Sequence, residues 1–247
     1  MPRQLEERRT DTRQLSSVND MESLWASVDE YFGQHLLPPD DVLNEALIAS
    51  TKAGLPAINV TPAQGKFLYL LARIRGARRI LEVGTLGGYS TIWLARALPA
   101  GGRLITLEID AAHAAVAEEN LLRAGLSDRV QILVAPASES LAKLSAEHAE
   151  AFDLVFIDAD KVSSAPYFQA ALGLSRVGTL IVVDNVVRKG EVIDGATPDV
   201  NVQGIRRLTE LLAHEPRITA TAIQTVGSKG YDGCILALVT ALDAAPA

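Results

Sequence analysis

The sequence predicts an α/β fold: a doubly wound, mostly parallel seven-stranded sheet with a helical cap before it and an antiparallel hairpin at its end. Three observations carry that prediction. From about residue 76 onward, short continuous apolar runs alternate with helix-length segments, the pattern of strands buried on both faces and joined by crossover helices. A glycine-rich turn follows the first run and acids close later ones, at the strand ends where open α/β sheets gather ligands. The last two runs have no helix between them, so they must pair antiparallel.

Residues 1–20 are polar and charge-dense, without an apolar core or a sustained period. They are expected to form a polar tail, and they lack the features of a secretory leader. Residues 21–247 read as one domain, with a helical cap at 21–75 and an α/β core at 76–240. In the cap, "MESLWASVDEYFGQHLL" sets Leu24, Trp25, Val28, Tyr31 and Phe32 on one stripe. A second helix opens on prolines and acids and closes at Gly54; a third has Thr61 as N-cap and Pro62 in its first turn, both favoured there. Strands are predicted at 79–84, 103–110, 129–135, 152–158 and 178–185, with helices near 88–98, 111–125, 138–149, 163–175 and 201–214. "RITATAIQTV" and "DGCILALVT", joined by "GSKGY", form the closing hairpin.

Composition narrows the partners. With 48% hydrophobic residues in 247, the chain can bury a large core. A net charge of −7 opposes nucleic acid or an anionic membrane as the main partner, since both require a basic face. No apolar stretch is long enough to span a bilayer. Cys234 is the single cysteine, so no intrachain disulfide forms. A cytoplasmic location is expected.

The turn in "LEVGTLGGYSTIWLARAL" contains Gly84, Gly87 and Gly88, with Thr85 after the first. Glycines at that place let a ligand approach the backbone; a tight strand-to-helix connection is the plainer reading. The second strand ends in "TLEID", placing Glu108 24 residues beyond Gly84. An acid there is suited to accept hydrogen bonds from ribose hydroxyls. The spacing G-x-x-G-G is not the dinucleotide fingerprint, and Glu82 sets a carboxylate where a pyrophosphate would be repelled. A cationic nucleoside, S-adenosylmethionine (SAM), fits better than NAD.

"ILEVGTLGGYSTIWLARALP", "LITLEID", "FDLVFIDADK", "LIVVDNVVRKGEV" and "VGSKGYDG" together resemble the cation-dependent O-methyltransferases typified by caffeoyl-coenzyme A and catechol O-methyltransferases. The likeness runs from about Thr61 to Val239 and implies the Rossmann-like class I methyltransferase fold, SAM as cofactor, an aromatic hydroxyl as small-molecule acceptor and a homodimer. It implies that Asp158, Asp184 and Asn185 hold a divalent cation. The donor chemistry agrees: two carboxylates and an amide carbonyl are hard oxygen ligands suited to Mg²⁺, with Mn²⁺ or Ca²⁺ as alternatives. Asp184 and Asn185 would otherwise cap a turn.

In the family the lysine matching Lys161 takes the acceptor's proton. A phenol and a lysine both titrate near ~10 in water, and a cation beside them lowers both. An exposed lysine at a helix start is the alternative, and Asp160 reads as a helix-capping acid. Asp158 thus carries a metal, a catalytic and a cofactor-binding assignment. The resemblance assigns Ala137 and Ser138 to the adenine, with a helix N-cap as Ser138's other role. It places Tyr89 and Ser90 at the methionine carboxylate, and Val60 and Thr61 along the methionine end. Glu82, Gly84, Thr85, Gly88, Glu108 and the adjacent Ile109 complete the expected cofactor set. Two competitors remain at this point: a nicotinamide-dependent oxidoreductase, and a non-catalytic cofactor-binding relative.

Overall fold

The structure, a computed structural model, describes residues 18–242. The expected tail lies outside that range except for residues 18–20, which already belong to the first helix. The cap comprises α1 (Val18–Leu36), α2 (Asp41–Lys52) and α3 (Pro62–Arg75). Asp40 caps α2 by accepting from the Leu43 amide, and Thr61 caps α3 by accepting from the Gln64 amide. Each satisfies an amide that the first helical turn leaves without a partner. The apolar stripe of α1 is only lightly covered: Leu24, Val28, Tyr31 and Phe32 are all exposed.

The core follows as β1 (Arg79–Val83), α4 (Tyr89–Ala97), β2 (Arg103–Glu108), α5 (Ala111–Arg123), β3 (Val130–Val134), α6 (Ala137–Ala146), β4 (Phe152–Ile157), α7 (Ser164–Gly173), β5 (Ser175–Asp184), α8 (Val200–Ala213), β6 (Ile218–Gly227) and β7 (Gly230–Val239). An irregular 3-10 turn at Arg188–Ile193 lies between β5 and α8. The sheet order is β3-β2-β1-β4-β5-β7-β6, parallel throughout except for β7, which runs antiparallel to both neighbours. Alternate residues of each central strand feed two cores. Ile80 packs with Leu68, Ile92 and Leu104 on one face; Leu81 packs with Phe168, Ile181 and Ile205 on the other. This two-sided burial is why the strands read as unbroken apolar runs.

One boundary departs from expectation. β5 starts at Ser175 rather than 178, with Gly178 at φ +91° and a register shift against β4 between Phe152 and Leu154. The Arg176–Gly178 stretch looks like a turn in sequence. Its pairing is held by Thr179, whose hydroxyl donates to the Phe152 carbonyl, and by Arg176, which bonds the buried carboxylate of Asp153.

Two close approaches fix the geometry of the sheet's carboxyl edge. At Gly84, φ is +105° and a Cβ would overlap the Asp158 carbonyl, so the turn after β1 and the end of β4 touch backbone to backbone. Gly204 on α8 lies equally close to the Lys161 carbonyl. Only glycine meets both demands at Gly84, a left-handed backbone and no side chain.

Candidate functional site

Strand order reverses between β1 and β4, and ligands in such sheets bind outside the carboxyl ends at that point. A cleft of about 830 Å³ opens there. Its wall includes Val60, Gly84, Thr85, Tyr89, Ser90, Glu108, Ile109, Ala137, Asp158 and Lys161. Most of the residues expected at the cofactor therefore stand on one surface. Gly88 is the left-handed N-cap of α4, immediately before Tyr89.

Glu82 and Ser138 do not line the cleft. Glu82 is fully buried under the first turn of α4, accepting from Ser90 Oγ (2.6 Å), Thr91 Oγ1 (2.5 Å) and Thr106 Oγ1 (2.8 Å). It shares its strand face with Ile80, two residues before it, and so points toward α4. Its link to the cleft is indirect, through the Ser90 hydroxyl. Ser138 is exposed in the first turn of α6, and Pro136 holds the N-cap position instead.

Burial pushes the Glu82 carboxyl up to about 7, against the pull of its three hydroxyl donors. An acid whose folded pKa lies above its unfolded value of 4.5 favours the folded state at low pH. That contribution fades as pH rises from the lower value to the higher. Glu82 alone should contribute a fall of about 3 kcal/mol in stability across that window. Urea denaturation at about pH 5 and about pH 8 checks this; Glu82→Gln, which keeps an acceptor and loses the charge, should show a flatter profile.

Glu108 is nearly buried, and backbone amides surround it. Oε2 accepts from Thr85 N (3.3 Å) and Leu86 N (2.8 Å), and Oε1 from Ile109 N (2.9 Å) and Asp110 N (3.0 Å). Those four donors match the roughly four acceptor positions of a carboxylate. Glu108 therefore pins the glycine turn to the end of β2, a duty the sequence did not reveal, and a ribose must share its oxygens with the turn.

A second pocket, about 580 Å³, opens between α3 and the β6–β7 hairpin. Phe67, Leu68, Ile223 and Val226 give it an apolar body. The three proposed metal donors straddle the two cavities: Asp158 lines the cleft, Asp184 the second pocket, and Asn185 both. Asp184 Oδ2 accepts from Gln64 Nε2 at 2.6 Å and Oδ1 from Asn185 N at 2.8 Å. Burial, and next the charge of Asp158, push the Asp184 carboxyl up to about 7. Asn185 has φ +56°, a cost tolerated where the surrounding structure holds the turn. Lys161 is buried rather than exposed, with Nζ 2.9 Å from Asp158 Oδ1. Asp160 accepts from the Ser163 amide and the Tyr167 hydroxyl, as an acid at a helix start does.

Sequence reasoning missed three neighbours. Gln64 reaches Asp184 across 120 residues of chain. Lys229, at the hairpin turn, donates to the Asn59 carbonyl; burial lowers its pKa against the opposing pull of Asp158 and Asp184. Arg188 lines both cavities. The quoted motifs held Arg188 and Lys229, but only the fold shows what they face.

A sequence profile of the O-methyltransferase family matches residues 38–238. A catechol O-methyltransferase of Niastella koreensis is 53% identical over 216 residues, covering 87% of this chain and 98% of that protein. One from Mycobacterium tuberculosis is 50% identical over 212 residues, covering 86% and 94%. Among solved structures, the O-methyltransferase from Bacillus cereus in complex with S-adenosylhomocysteine superposes with a TM-score of 0.88 at 56% identity, covering 89% of this chain and 100% of that one. TomG from Streptomyces achromogenes, in complex with SAM, gives 0.86 at 50%, covering 89% and 99%. The sheet order, the cleft and these likenesses define a class I methyltransferase that uses SAM. More narrowly, the chain belongs to the O-methyltransferase family and is an enzyme of the 2.1.1 class. The nicotinamide-dependent and non-catalytic alternatives fall away.

Proposed function

We propose that the enzyme methylates one hydroxyl of a catechol or another vicinal aromatic diol, with a divalent cation held by Asp158, Asp184 and Asn185. One observation carries this reading. The three oxygen donors sit on the boundary between the cofactor cleft and an apolar pocket of ring-accommodating size. Among the described residues no group of three or more His, Cys, Asp or Glu is placed to hold a metal. Two carboxylates and one amide carbonyl would leave positions for water and for two adjacent acceptor oxygens, as suits Mg²⁺, or Mn²⁺ or Ca²⁺. The Asp184 carboxyl, raised first by burial and next by the charge of Asp158, fits the same reading, because a bound cation would favour its ionised form. When bound, SAM supplies an electrophilic methyl on a sulfonium, and the cation lowers the pKa of a hydroxyl beside it.

The protein's own residues position and deprotonate the acceptor. In this reading Lys161, held beside Asp158 in a nearly dry environment, accepts the hydroxyl proton as a neutral amine and returns to the ion pair as an ammonium. Phe67, Ile223 and Val226 offer apolar contact to the ring. The names of the two catechol O-methyltransferase relatives support this acceptor class. A small-molecule acceptor also suits the net charge of −7, and the single cysteine suits a cytoplasmic location. The uncovered stripe of α1 supports a two-copy assembly, which light scattering would check.

The deciding experiment supplies SAM with a catechol or with a matched simple phenol and follows methyl gain by mass spectrometry. Transfer to the catechol, little to the phenol, and loss of both in EDTA are expected. Equal rates on the two acceptors would falsify the chelation model. Separately, Glu108→Ala should weaken SAM binding by roughly 1.5–3 kcal/mol, the scale of lost charge-assisted hydrogen bonds. Because Glu108 also pins the turn, a lowered Tm should accompany the weaker affinity. Calorimetric titration and thermal melts test both.

A further inference from the structure

The acceptor site contains a cation that neither the proton transfer nor the metal reading uses. Arg188 lies three residues after Asn185 and lines both cavities. Its Nε is buried and has no hydrogen-bond partner among the described residues. A buried unpaired donor costs stability, more so in a charged group, and in a native structure it calls for a partner in a water, an ion or a ligand, or for a role in the mechanism.

The backbone there is strained and tied down. Arg188 and Lys189 have φ of +55° and +56°, and Asp232 Oδ1 accepts from both Val187 N (3.0 Å) and Arg188 N (3.1 Å). Residues held in this region need support from their surroundings, and they concentrate at ligand clamps. The Asp232 oxygen is spent on backbone amides, and it accepts from Gly233 N as well. Asp199, at the start of α8, feels the Arg188 charge, yet no ion pair joins them. Lys161 is already matched by Asp158. Arg188 therefore lines the acceptor site with no side-chain hydrogen bond or ion pair among the described residues, and Lys229 adds a second positive charge to a wall that also carries Asp29, Asp184 and Asp232.

We infer that Arg188 is a specificity-determining residue that binds an anionic substituent on the acceptor ring, so that the favoured substrates are catechols bearing a carboxylate. The guanidinium's planar fork matches a carboxylate with two parallel hydrogen bonds. The inference rests on the catechol reading above and sharpens it. An alternative carboxylate is that of the methionine end of SAM, because Arg188 also borders the cofactor cleft.

The test compares kcat/KM for dihydroxybenzoate and for its neutral amide, in wild type, Arg188→Gln and Arg188→Lys, with SAM affinity measured by calorimetry on each. Wild type should prefer the acid. Arg188→Gln should reduce the acid-to-amide ratio by about tenfold or more, mainly through KM of the acid, as expected for a lost charge-assisted pair. Arg188→Lys should fall between the two. The wild type alone gives a second measure: kcat/KM for the acid should decline with ionic strength more steeply than for the amide. Turnover of both acceptors with an unchanged ratio overturns the assignment to Arg188 alone, as does a defect confined to SAM affinity. If wild type methylates catechol itself but neither of these acceptors, this inference fails and the catechol reading stands; if it methylates none of the three, both fail. Should Arg188→Gln not fold, a salt dependence equal for acid and amide still overturns the proposal.

Discussion

Replacing Asp184 or Asp158 should abolish methyl transfer while SAM affinity changes by less than about tenfold, the scale of a lost secondary contact. The loss in kcat should be at least ~10³, because a bound cation contributes several kcal/mol of charge stabilisation and each 1.36 kcal/mol is a factor of ten. Asp184→Asn is the cleaner variant. It retains an oxygen for Gln64 Nε2, which donates to Oδ2 at 2.6 Å, so the buried amide keeps its partner. Asp184→Ala strips that partner away and adds a cavity. EDTA should silence the wild type to the same degree, and Mg²⁺ should restore it. Full activity of the wild type in EDTA would leave the two carboxylates as a structural pair and remove the cation from the mechanism. Calorimetry with SAM on each variant, run beside the activity assay, separates a lost cation from a collapsed cleft.

Lys161→Ala should lower kcat by ~10²–10⁴ near neutral pH, the usual range for a positioned general base. The 2.9 Å contact with Asp158 gives this residue a second possible duty, since a buried carboxylate gains from a paired charge. Lys161→Arg separates the two. An arginine keeps the positive charge beside Asp158 but does not give up its proton in a protein. A base at this position predicts that Arg and Ala variants are both slow; a mere charge partner predicts that Arg restores much of the rate. For the Ala variant the deficit should narrow as pH rises, because hydroxide then supplies the phenolate. A near-normal rate for Lys161→Ala at neutral pH would leave the cation as the sole agent that acidifies the hydroxyl.

The fold was legible because periodicity reports burial, and burial in this chain is two-sided. Leu154, Val155 and Phe156 are all fully inside, and no alternation survives when helices cover both faces. Asp158, Lys161, Asp184 and Asn185 were legible for the converse reason: oxygen and nitrogen groups at the end of an apolar strand are conspicuous. Glu82 was visible as an acid, but its direction was misjudged. Strand parity set it on the Ile80 face, beneath α4, where three hydroxyls receive it.

Other features depend on contacts that no local pattern encodes. Gln64 belongs to the amphipathic pattern of α3 and looks like any polar helix residue until β5 arrives beside it. The exposure of Tyr31 and Phe32 contradicts what their stripe suggests, since periodicity marks an apolar face without saying whether anything covers it. The four amides around Glu108 come from a turn and a strand end whose shapes the tertiary fold sets.

The two glycine crossings bear on how the enzyme can be re-engineered. Gly84 ties the cofactor turn to the backbone of Asp158, and Gly204 ties α8 to the backbone of Lys161. Both ties belong to the scaffold that holds the carboxylate and the lysine. Of the wall of the proposed acceptor pocket, residues 57–60, Arg188 and residues 227–230 carry neither tie. Chimeras that exchange residues 227–230, which do not border the cofactor cleft, should inherit a new acceptor range on an undisturbed methyl-transfer centre. Chimeras joined at 84 or 204 should shift Asp158 and Lys161 away from each other, and lose turnover whatever acceptor they are offered.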